Sequence, residues 1–382
     1  MISYKNCRIF DTLIKRLIVV EQDFILTSYN NSIDSGKVKW SSPSNIALVK
    51  YWGKYGAQLP KNTSLSFTLS HCRTVTQLTY TKKETAGFSF DIFLEGLQKE
   101  AFKPKIQTFF ERIETYVPFL NKYHFKIETS NTFPHSSGIA SSASGMSALS
   151  LCIMSIERSL NPEMSHDYFY QKASFLARLG SGSACRSIQG PVMVWGEHEA
   201  MKQSSQFFGA PLSAALHPNF KNYNDAILIV DKGEKVVSST VGHDLMHNHP
   251  FAEERFKQAN KNFGQLLKVL KSGDLKAFIK IVEQEALSLH AMMLTSDPYF
   301  ILMKPNTLQI INKIWQYRAA QKSNICFTLD AGANVHVLFP ENETEKVYEF
   351  IKSELVAFCQ NGHYICDTVG KGAQPLITQP TN

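Results

Sequence analysis

Charge is missing from a long part of this chain. From Thr129 to Ile156 there are 28 residues without one Asp, Glu, Lys or Arg. In length such a run could span a bilayer. In composition it could not easily do so, because it holds nine serines together with Pro134 and His135. Other scarcities exclude other classes. The seven cysteines (Cys7, Cys72, Cys152, Cys185, Cys326, Cys359 and Cys366) are odd in number and scattered, without a C-x-x-C. That argues against a zinc ribbon or disulfide framework and fits reduced thiols in a cytoplasmic protein. The apolar-leaning stretch Ile9 to Val20 is broken by Asp11, Lys15 and Arg16, with no small-residue cleavage site after it, so no signal peptide is expected. There is no G-x-S-x-G elbow of a serine hydrolase and no Gly-Lys-Ser/Thr ending of a Walker A loop. No basic stripe argues for nucleic acid, and no internal repeat or low-complexity linker appears.

What is present is a chain of 382 residues, 43% apolar and 19% charged, ample for a buried core. Lys plus Arg number 40 against 33 Asp plus Glu, a net +7 that suits small anionic ligands. Apolar spacing predicts strands at Ile46–Val49, Phe125–Glu128, Pro191–Trp195 and Ala226–Val230, and a hairpin of Val75–Thr81 with Phe88–Leu94. It predicts helices over Lys105–Tyr116, from the serine loop to about Ser159, and over Asp167–Leu179, Ala252–Leu270, Leu275–His290, Thr307–Ala320 and Glu345–Phe358. Ile325–Leu329 and Val335–Phe339 read as paired strands. Helices and strands mix irregularly, which is an α+β pattern. A lobe boundary is expected near residues 205–222, and residues 1–37 read as a loose extension.

The strongest local signal is Pro134-His-Ser-Ser-Gly-Ile-Ala-Ser-Ser-Ala-Ser-Gly145. Small side chains and two glycines open a helix whose first amides point outward, and such a nest binds phosphate. The plainer reading is a serine-capped helix packed closely. A second small-residue loop, Gly180-Ser-Gly-Ser-Ala-Cys-Arg-Ser187, carries the donor fork of Arg186, suited to carboxylate or phosphate; alone it also reads as a helix end with a surface arginine. Lys50-Tyr-Trp-Gly-Lys54 follows an apolar strand, with a solvated hairpin end as the plainer reading. Asp330-Ala-Gly-Ala-Asn334 puts an acid at a strand end beside a turn, where a general base could sit, though it is also a common turn formula. His243, His247 and His249 have metal-like spacing but read better as a solvated loop, and Glu253 with Glu254 as acids at a helix start.

Together these segments resemble one family. Ser42-Pro-Ser-Asn-Ile-Ala-Leu-Val-Lys-Tyr-Trp-Gly-Lys54 looks like the N-terminal signature of the mevalonate diphosphate decarboxylases, of the GHMP kinase superfamily. Asn62-Thr-Ser-Leu-Ser66, the serine loop, Gly180–Ser187 and Asp330–Asn334 recur there in the same order, over about residues 39–360. The resemblance implies a two-lobed α+β fold with a deep cleft: an extension (1–37), a lobe with the phosphate loop (38–215) and a lobe with the catalytic acid (216–382). It implies ATP- and Mg²⁺-dependent phosphorylation of the 3-hydroxyl of mevalonate 5-diphosphate, then loss of phosphate and CO₂ to give isopentenyl diphosphate. The alternative is a kinase or decarboxylase of the same superfamily acting on mevalonate or its monophosphate. By the same resemblance Asp330 is the catalytic acid that orients or deprotonates the hydroxyl. Arg186 holds the substrate carboxylate. Tyr51 and Lys54 contact the diphosphate, Lys54 being counted with the catalytic groups, and Ser181, Ser183 and Ser239 also contact substrate. Ser137, Gly138, Ala140, Ser141, Ser142 and Ser144 form the ATP phosphate loop, with Ser142 the candidate Mg²⁺ ligand. A homodimer is expected. The loop departs from the common Pro-Thr-Ala-Ala-Gly in reading Pro134-His-Ser-Ser-Gly138, which leaves His135 open between a ligand contact and a surface position.

Overall fold

The computed structural model of the chain describes residues 20–26, 28–134, 139–233, 237 and 239–377. Two long strands organise the first half: β1 (Ser35–Val49) and, after a small ribbon of β2 (Lys54–Tyr55) and β3 (Leu59–Pro60), β4 (Ser64–Lys82). They run antiparallel from Ser35 opposite Thr81 to Val49 opposite Leu65, with register shifts at Pro43/Asn45 and Ala47/Val49. Bulges of this kind bend a strand pair and re-aim its side chains. Then come β5 (Ser89–Leu94), β6 (Leu97–Gln98), helix α1 (Lys103–Ile113) and β7 (Tyr123–Asn131). Helices α2 (Ser141–Leu160) and α3 (His166–Gly180) lead to β8 (Val192–Trp195) and β9 (Ala210–Pro211).

The expected hairpin of Val75–Thr81 with Phe88–Leu94 does not form. β7 lies between the two strands, antiparallel to β4 and parallel to β5. The reason is the crossover: α1 carries the chain over the sheet and returns it parallel to β5, which a two-strand turn cannot do. Alternation predicts which side chains are buried, not which strand is the neighbour.

The second half begins with β10 (Asn224–Leu228) and continues through α4 (Ser239–Asp244), α5 (Ala252–Ser272), α6 (Leu275–Leu294) and α7 (Pro305–Gln321). It closes with β11 (Cys326–Thr328), β12 (Val335–Phe339), α8 (Thr344–Phe350), β13 (Tyr364–Thr368) and β14 (Gln374–Ile377). The sheet order is β11-β12-β10-β13. The single helix expected over Glu345–Phe358 is shorter. It gives way after Phe350 to a wide π turn and a 3₁₀ turn, where the Ser353 hydroxyl bonds the Glu349 carbonyl at 2.9 Å. β14 returns to the first sheet and pairs with β1. Asp367 on β13 is buried and accepts the amides of Ser70, His71 and Cys72 on β4, tying the two sheets together.

The charge-free run now has a structural cause. It is the end of β7, the serine loop and α2, a helix buried along most of its length between the sheet and α3. A helix covered on nearly every face has no place for an unpaired charge. Trp40 on β1 donates to Ser155 at 2.8 Å, and the first charge after the run, Glu157, is buried against Lys172 at 2.7 Å.

The described part of the N-terminal segment is largely exposed but anchored at Phe24 and Glu21. Phe24 is fully buried and stacks on Phe175 with centroids 4.5 Å apart, and Glu21 pairs with buried Arg178 at 3.0 Å. Phe24→Ala is therefore expected to destabilise the fold by about 3–5 kcal/mol, the usual loss for a buried phenylalanine. A denaturant midpoint equal to that of the unaltered chain would show that the segment is dispensable.

Candidate active site

The end of β1 sets the centre of the site. Lys50 follows the apolar run Ile46–Val49 and is buried, not solvated as a hairpin end would be. Its amide donates to Glu285 Oε2 at 2.9 Å, and its carbonyl accepts from Asn62 Nδ2 at 2.9 Å. Its Nζ reaches Asp330 Oδ1 at 3.0 Å. Burial lowers the Lys50 pKa, while Asp330 and then Glu285 pull it back up. A buried ammonium keeps its charge only with such partners. Glu285, on α6, is itself held by Arg255 at 3.0 Å and Asn262 at 2.7 Å. Lys50 is thus tied through its backbone to a buried chain of charge in which Glu285 pairs with Arg255.

Asp330 lies in the turn after β11, where its carbonyl accepts the Gly332 amide at 2.7 Å and bonds His290 Nε2 at 3.1 Å. Its side chain is 32% exposed against 2% for Lys50, so the carboxylate faces the cavity and the ammonium lies behind it. The cavity, of about 360 Å³, is lined by both, with Asn45, Tyr51, Lys54 and Arg186.

Arg186 ends the second small-residue loop and is buried, which excludes the surface reading. It donates to Ser64 Oγ, approaches Asn45 Oδ1 at 3.5 Å and lies 5.8 Å from the Trp195 ring centroid. Asn45 gives its amide hydrogens to Ser187 Oγ at 2.8 Å and the Ser183 carbonyl at 3.2 Å, which turns its oxygen toward Arg186. Gly182 is required here: a Cβ would lie 2.9 Å from Trp195 and 3.0 Å from the Tyr51 hydroxyl. The Tyr51 hydroxyl is buried and has no hydrogen-bond partner among the described residues, and burial pushes its pKa well above the ordinary value. It is a donor in wait. Lys54 sits 3.7 Å from Asp244.

The two loops meet. Ser142 Oγ is 3.5 Å from Ser181 Oγ. Ala140 begins α2 with φ +47°, a left-handed conformation that a non-glycine residue adopts only when its surroundings impose it. Ser44 on β1 bonds the Ile139 carbonyl and holds that turn. A second cavity, of about 320 Å³, opens on the other side of the α2 start between Ile92, Leu94, Ile106, Ile127 and Met146. Lys105 and Ser142 line both cavities.

Of the residues singled out in the sequence, Asp330, Arg186, Lys54, Tyr51, Ser181, Ser183, Ala140 and Ser142 line the first cavity, and Ser141 and Ser142 the second. Ser144 does not face either. It is fully buried and shares a 2.6 Å hydrogen bond with Thr74, joining α2 to the sheet. Ser137, Gly138 and His135 lie outside the described residues, as does the Ser239 side chain, although its neighbour Thr240 lines the cavity. The solvated-loop reading holds for His247, which is exposed, but not for the other two histidines. His243 and His249 are buried and bonded separately, His243 to the Gly53 amide at 2.9 Å and His249 to the Met292 carbonyl at 3.0 Å. Among the described residues no group of His, Cys, Asp or Glu could hold a metal ion by itself. Sequence reasoning passed over Lys50, Asn45, Lys105 and Glu285. Only Lys50 and Asn45 fell inside a motif.

Ala140 and Ser142 at a helix start, lining one cavity with a buried arginine and a lysine–aspartate pair, make a pocket suited to a small phosphorylated ligand on an α+β scaffold. Comparison with known proteins narrows this. The diphosphomevalonate decarboxylase-like N-terminal domain matches residues 42–206, and the mevalonate 5-diphosphate decarboxylase C-terminal domain matches residues 226–375. The diphosphomevalonate decarboxylase of Gibberella zeae is 30% identical over 324 residues, 80% of this chain and 81% of that one. That of Debaryomyces hansenii is 30% identical over 327 residues, 80% of each chain. Among solved structures, mevalonate diphosphate decarboxylase from Enterococcus faecalis superposes with a TM-score of 0.75 at 27% identity, covering 90% of this chain and 99% of that one. A chain described as MDDEF in complex with MVAPP, AMPPCP and magnesium gives 0.76 at 28% identity, with the same coverage. The chain belongs to the diphosphomevalonate decarboxylase family, and its fold is the GHMP-kinase-like α+β fold.

Two measurements probe the site's supports. Glu285→Ala strands Arg255 as a buried charge and is expected to lower stability by about 3–5 kcal/mol in denaturant unfolding. A loss under 1 kcal/mol would mean that the charge chain carries little. The second concerns acid. Burial lowers the His290 pKa to about 4, and burial with the Lys54 and Arg186 charges lowers that of His243 to about 3. Below the ordinary value near 6.5 the unfolded chain then binds protons that the fold does not. The urea midpoint should be flat above pH 7 and fall between pH 6.5 and 4. A flat profile down to pH 5 would contradict this.

Proposed function

We propose that this chain uses ATP and Mg²⁺ to decarboxylate mevalonate 5-diphosphate, giving isopentenyl diphosphate, ADP, phosphate and CO₂. The observation that carries the reading is the meeting of Asp330 with Lys50, Arg186 and the serine loop around one cavity. A tertiary alcohol is a poor nucleophile and its hydroxide a poor leaving group. Asp330, fixed by Lys50, orients the 3-hydroxyl and takes its proton as the oxygen attacks the γ-phosphorus of ATP and ADP departs. The C3–O bond then breaks with phosphate leaving, and positive charge grows at C3. Arg186 holds the substrate carboxylate near that charge; the C1–C2 bond electrons become the C2–C3 double bond and CO₂ is released. Transfer of this kind is mostly positioning and electrostatics, which suits a site built from cations, backbone amides and hydroxyls.

Tyr51, Lys54, Ser181 and Ser183 bind the diphosphate, with Ser239 assigned beside them by the family pattern. Ala140, Ser141 and Ser142 border the ATP phosphates together with Ser137 and Gly138, and Ser144 serves as a packing residue behind them. The second cavity takes the nucleoside, leaving Lys105 and Ser142 between the two ligands, where the phosphoryl group crosses. The oxygen donors there suit Mg²⁺ carried on the phosphates, with the Ser142 hydroxyl as its protein ligand; the ion would neutralise the phosphate oxygens. The lobes divide at 38–215 and 216–382, each with its own sheet, while β14 crosses back. No helix among the described residues is long and apolar enough to cross a membrane. A homodimer completes the reading, with a cytoplasmic location in keeping with the scattered cysteines, which are unpaired among the described residues.

Asp330→Asn should lower kcat by about 10²–10⁴-fold, the range for loss of a general base, with nucleotide binding retained. CO₂ release at an unchanged rate would remove Asp330 from the chemistry.

A further inference from the structure

One titratable group in the cavity has no part in the reaction just described. His243, on α4, is buried between Tyr51 and Trp52, with ring centroids 4.2 and 4.6 Å away. α4 can approach this closely because residue 242 is glycine: a Cβ there would lie 2.5 Å from the Trp52 ring. The two aromatic faces set the plane of the imidazole, and the Gly53 amide sets its protonation. That amide donates to Nδ1 at 2.9 Å. An amide N–H can only donate, so Nδ1 is the acceptor and the one proton of the neutral ring sits on Nε2. A protonated ring would place a second hydrogen on Nδ1, against that of Gly53. Lys54 on β2 and Arg186 on the second loop face the same ring and oppose its charging, after burial as the leading cause. Asp244, the nearest carboxylate to Lys54, is 3.7 Å from that ammonium.

Nε2–H has no hydrogen-bond partner among the described residues, and the ring lines the cavity. Beside it are the Tyr51 hydroxyl, which has no hydrogen-bond partner among the described residues, and the Lys54 ammonium, paired at 3.7 Å with Asp244. A buried donor without an acceptor is rare in folded proteins, and the Tyr51 hydroxyl on one cavity wall with Nε2–H and a lysine suits an anion. We propose that His243 is a binding residue for the phosphorylated end of the substrate, donating from Nε2–H to a phosphate oxygen in a tautomer locked by the Gly53 amide. This rests on the reading of the cavity as a site for a diphosphate ester. A locked neutral donor differs from a further cation. It adds direction without charge, and its contribution stays constant across the pH range in which an ordinary histidine titrates.

The test pairs kinetics with spectroscopy on the full chain. His243→Asn retains an acceptor near the Nδ1 position for Gly53 but cannot reach the Nε2 position. His243→Phe keeps a ring between Tyr51 and Trp52 and removes both nitrogens. Both variants should raise KM for mevalonate 5-diphosphate by about 10–100-fold, as expected for a hydrogen bond to a charged group. The KM for ATP should stay within about two-fold, and the loss in kcat/KM should fall on KM. Thermal melting checks that each variant folds. In ¹⁵N-labelled protein, His243 should show a protonated Nε2 and an unprotonated Nδ1 from pH 5 to 8, with the Nε2–H resonance shifting when inorganic pyrophosphate is added. An unchanged KM in folded variants, a titration near pH 6.5, or a resonance unmoved by saturating pyrophosphate would each overturn the proposal. If the unaltered protein released no CO₂, the reading of the reaction would fail separately, since the pyrophosphate titration does not depend on turnover.

Discussion

The contact on which the site depends is the ion pair between Lys50 and Asp330. It joins the last turn of a first-sheet strand to a turn of the second sheet, 280 residues further along the chain. Neither partner is held by the pair alone. Lys50 is fixed through its own backbone by Glu285 and Asn62, and Asp330 through its carbonyl by Gly332 and His290. With the ammonium buried and the carboxylate open to the cavity, the pair gains little net stability, because desolvating Lys50 offsets much of the attraction. What it gains is position. The carboxylate is kept at one place on the cavity wall while its ammonium partner stays out of the ligand's way.

The same economy governs the rest of the cavity. The protein needs to hold highly charged phosphates, yet it places few full charges near them. Arg186 is aimed by Asn45 and Ser64, Lys54 lies at the rim by Asp244, and Lys105 separates the two cavities. Hydroxyls and amides supply the remainder. The charge-free run follows from this arrangement. It brings no acidic side chain to the cavity, and its helix is covered by the sheet on one side and α3 on the other. The net +7 is spread over the molecule, and the work at the site falls to a handful of cations.

Much of this was legible in the sequence, and the failures share one cause. The long amphipathic helices of the second half and the strands around Ile46, Phe125 and Val335 lie where their spacing put them. Arg186, Asp330, Lys54 and Tyr51, which line the cavity, were singled out because each sits in a short run of unusual composition. Lys50 was misjudged because a lysine after an apolar strand ordinarily meets water; its partners Asp330 and Glu285 lie 280 and 235 residues away. The misplaced hairpin is the same error in backbone form, since the strand that intervenes is delivered by a crossover helix. Ser144 was assigned to phosphate by motif, while the helical turn directs it to Thr74. His243 looked like part of a polar loop. Its meaning comes from Gly53 and two aromatic rings of a distant segment, which no local pattern contains.

The central claim is that one cavity couples phosphoryl transfer to loss of CO₂. The most direct measurement is a single-turnover experiment with mevalonate 5-diphosphate, ATP and Mg²⁺, counting ADP, inorganic phosphate and CO₂ together. The account predicts equal amounts of all three from each substrate consumed. ADP formed with a stable phosphorylated product, and no CO₂, would contradict it.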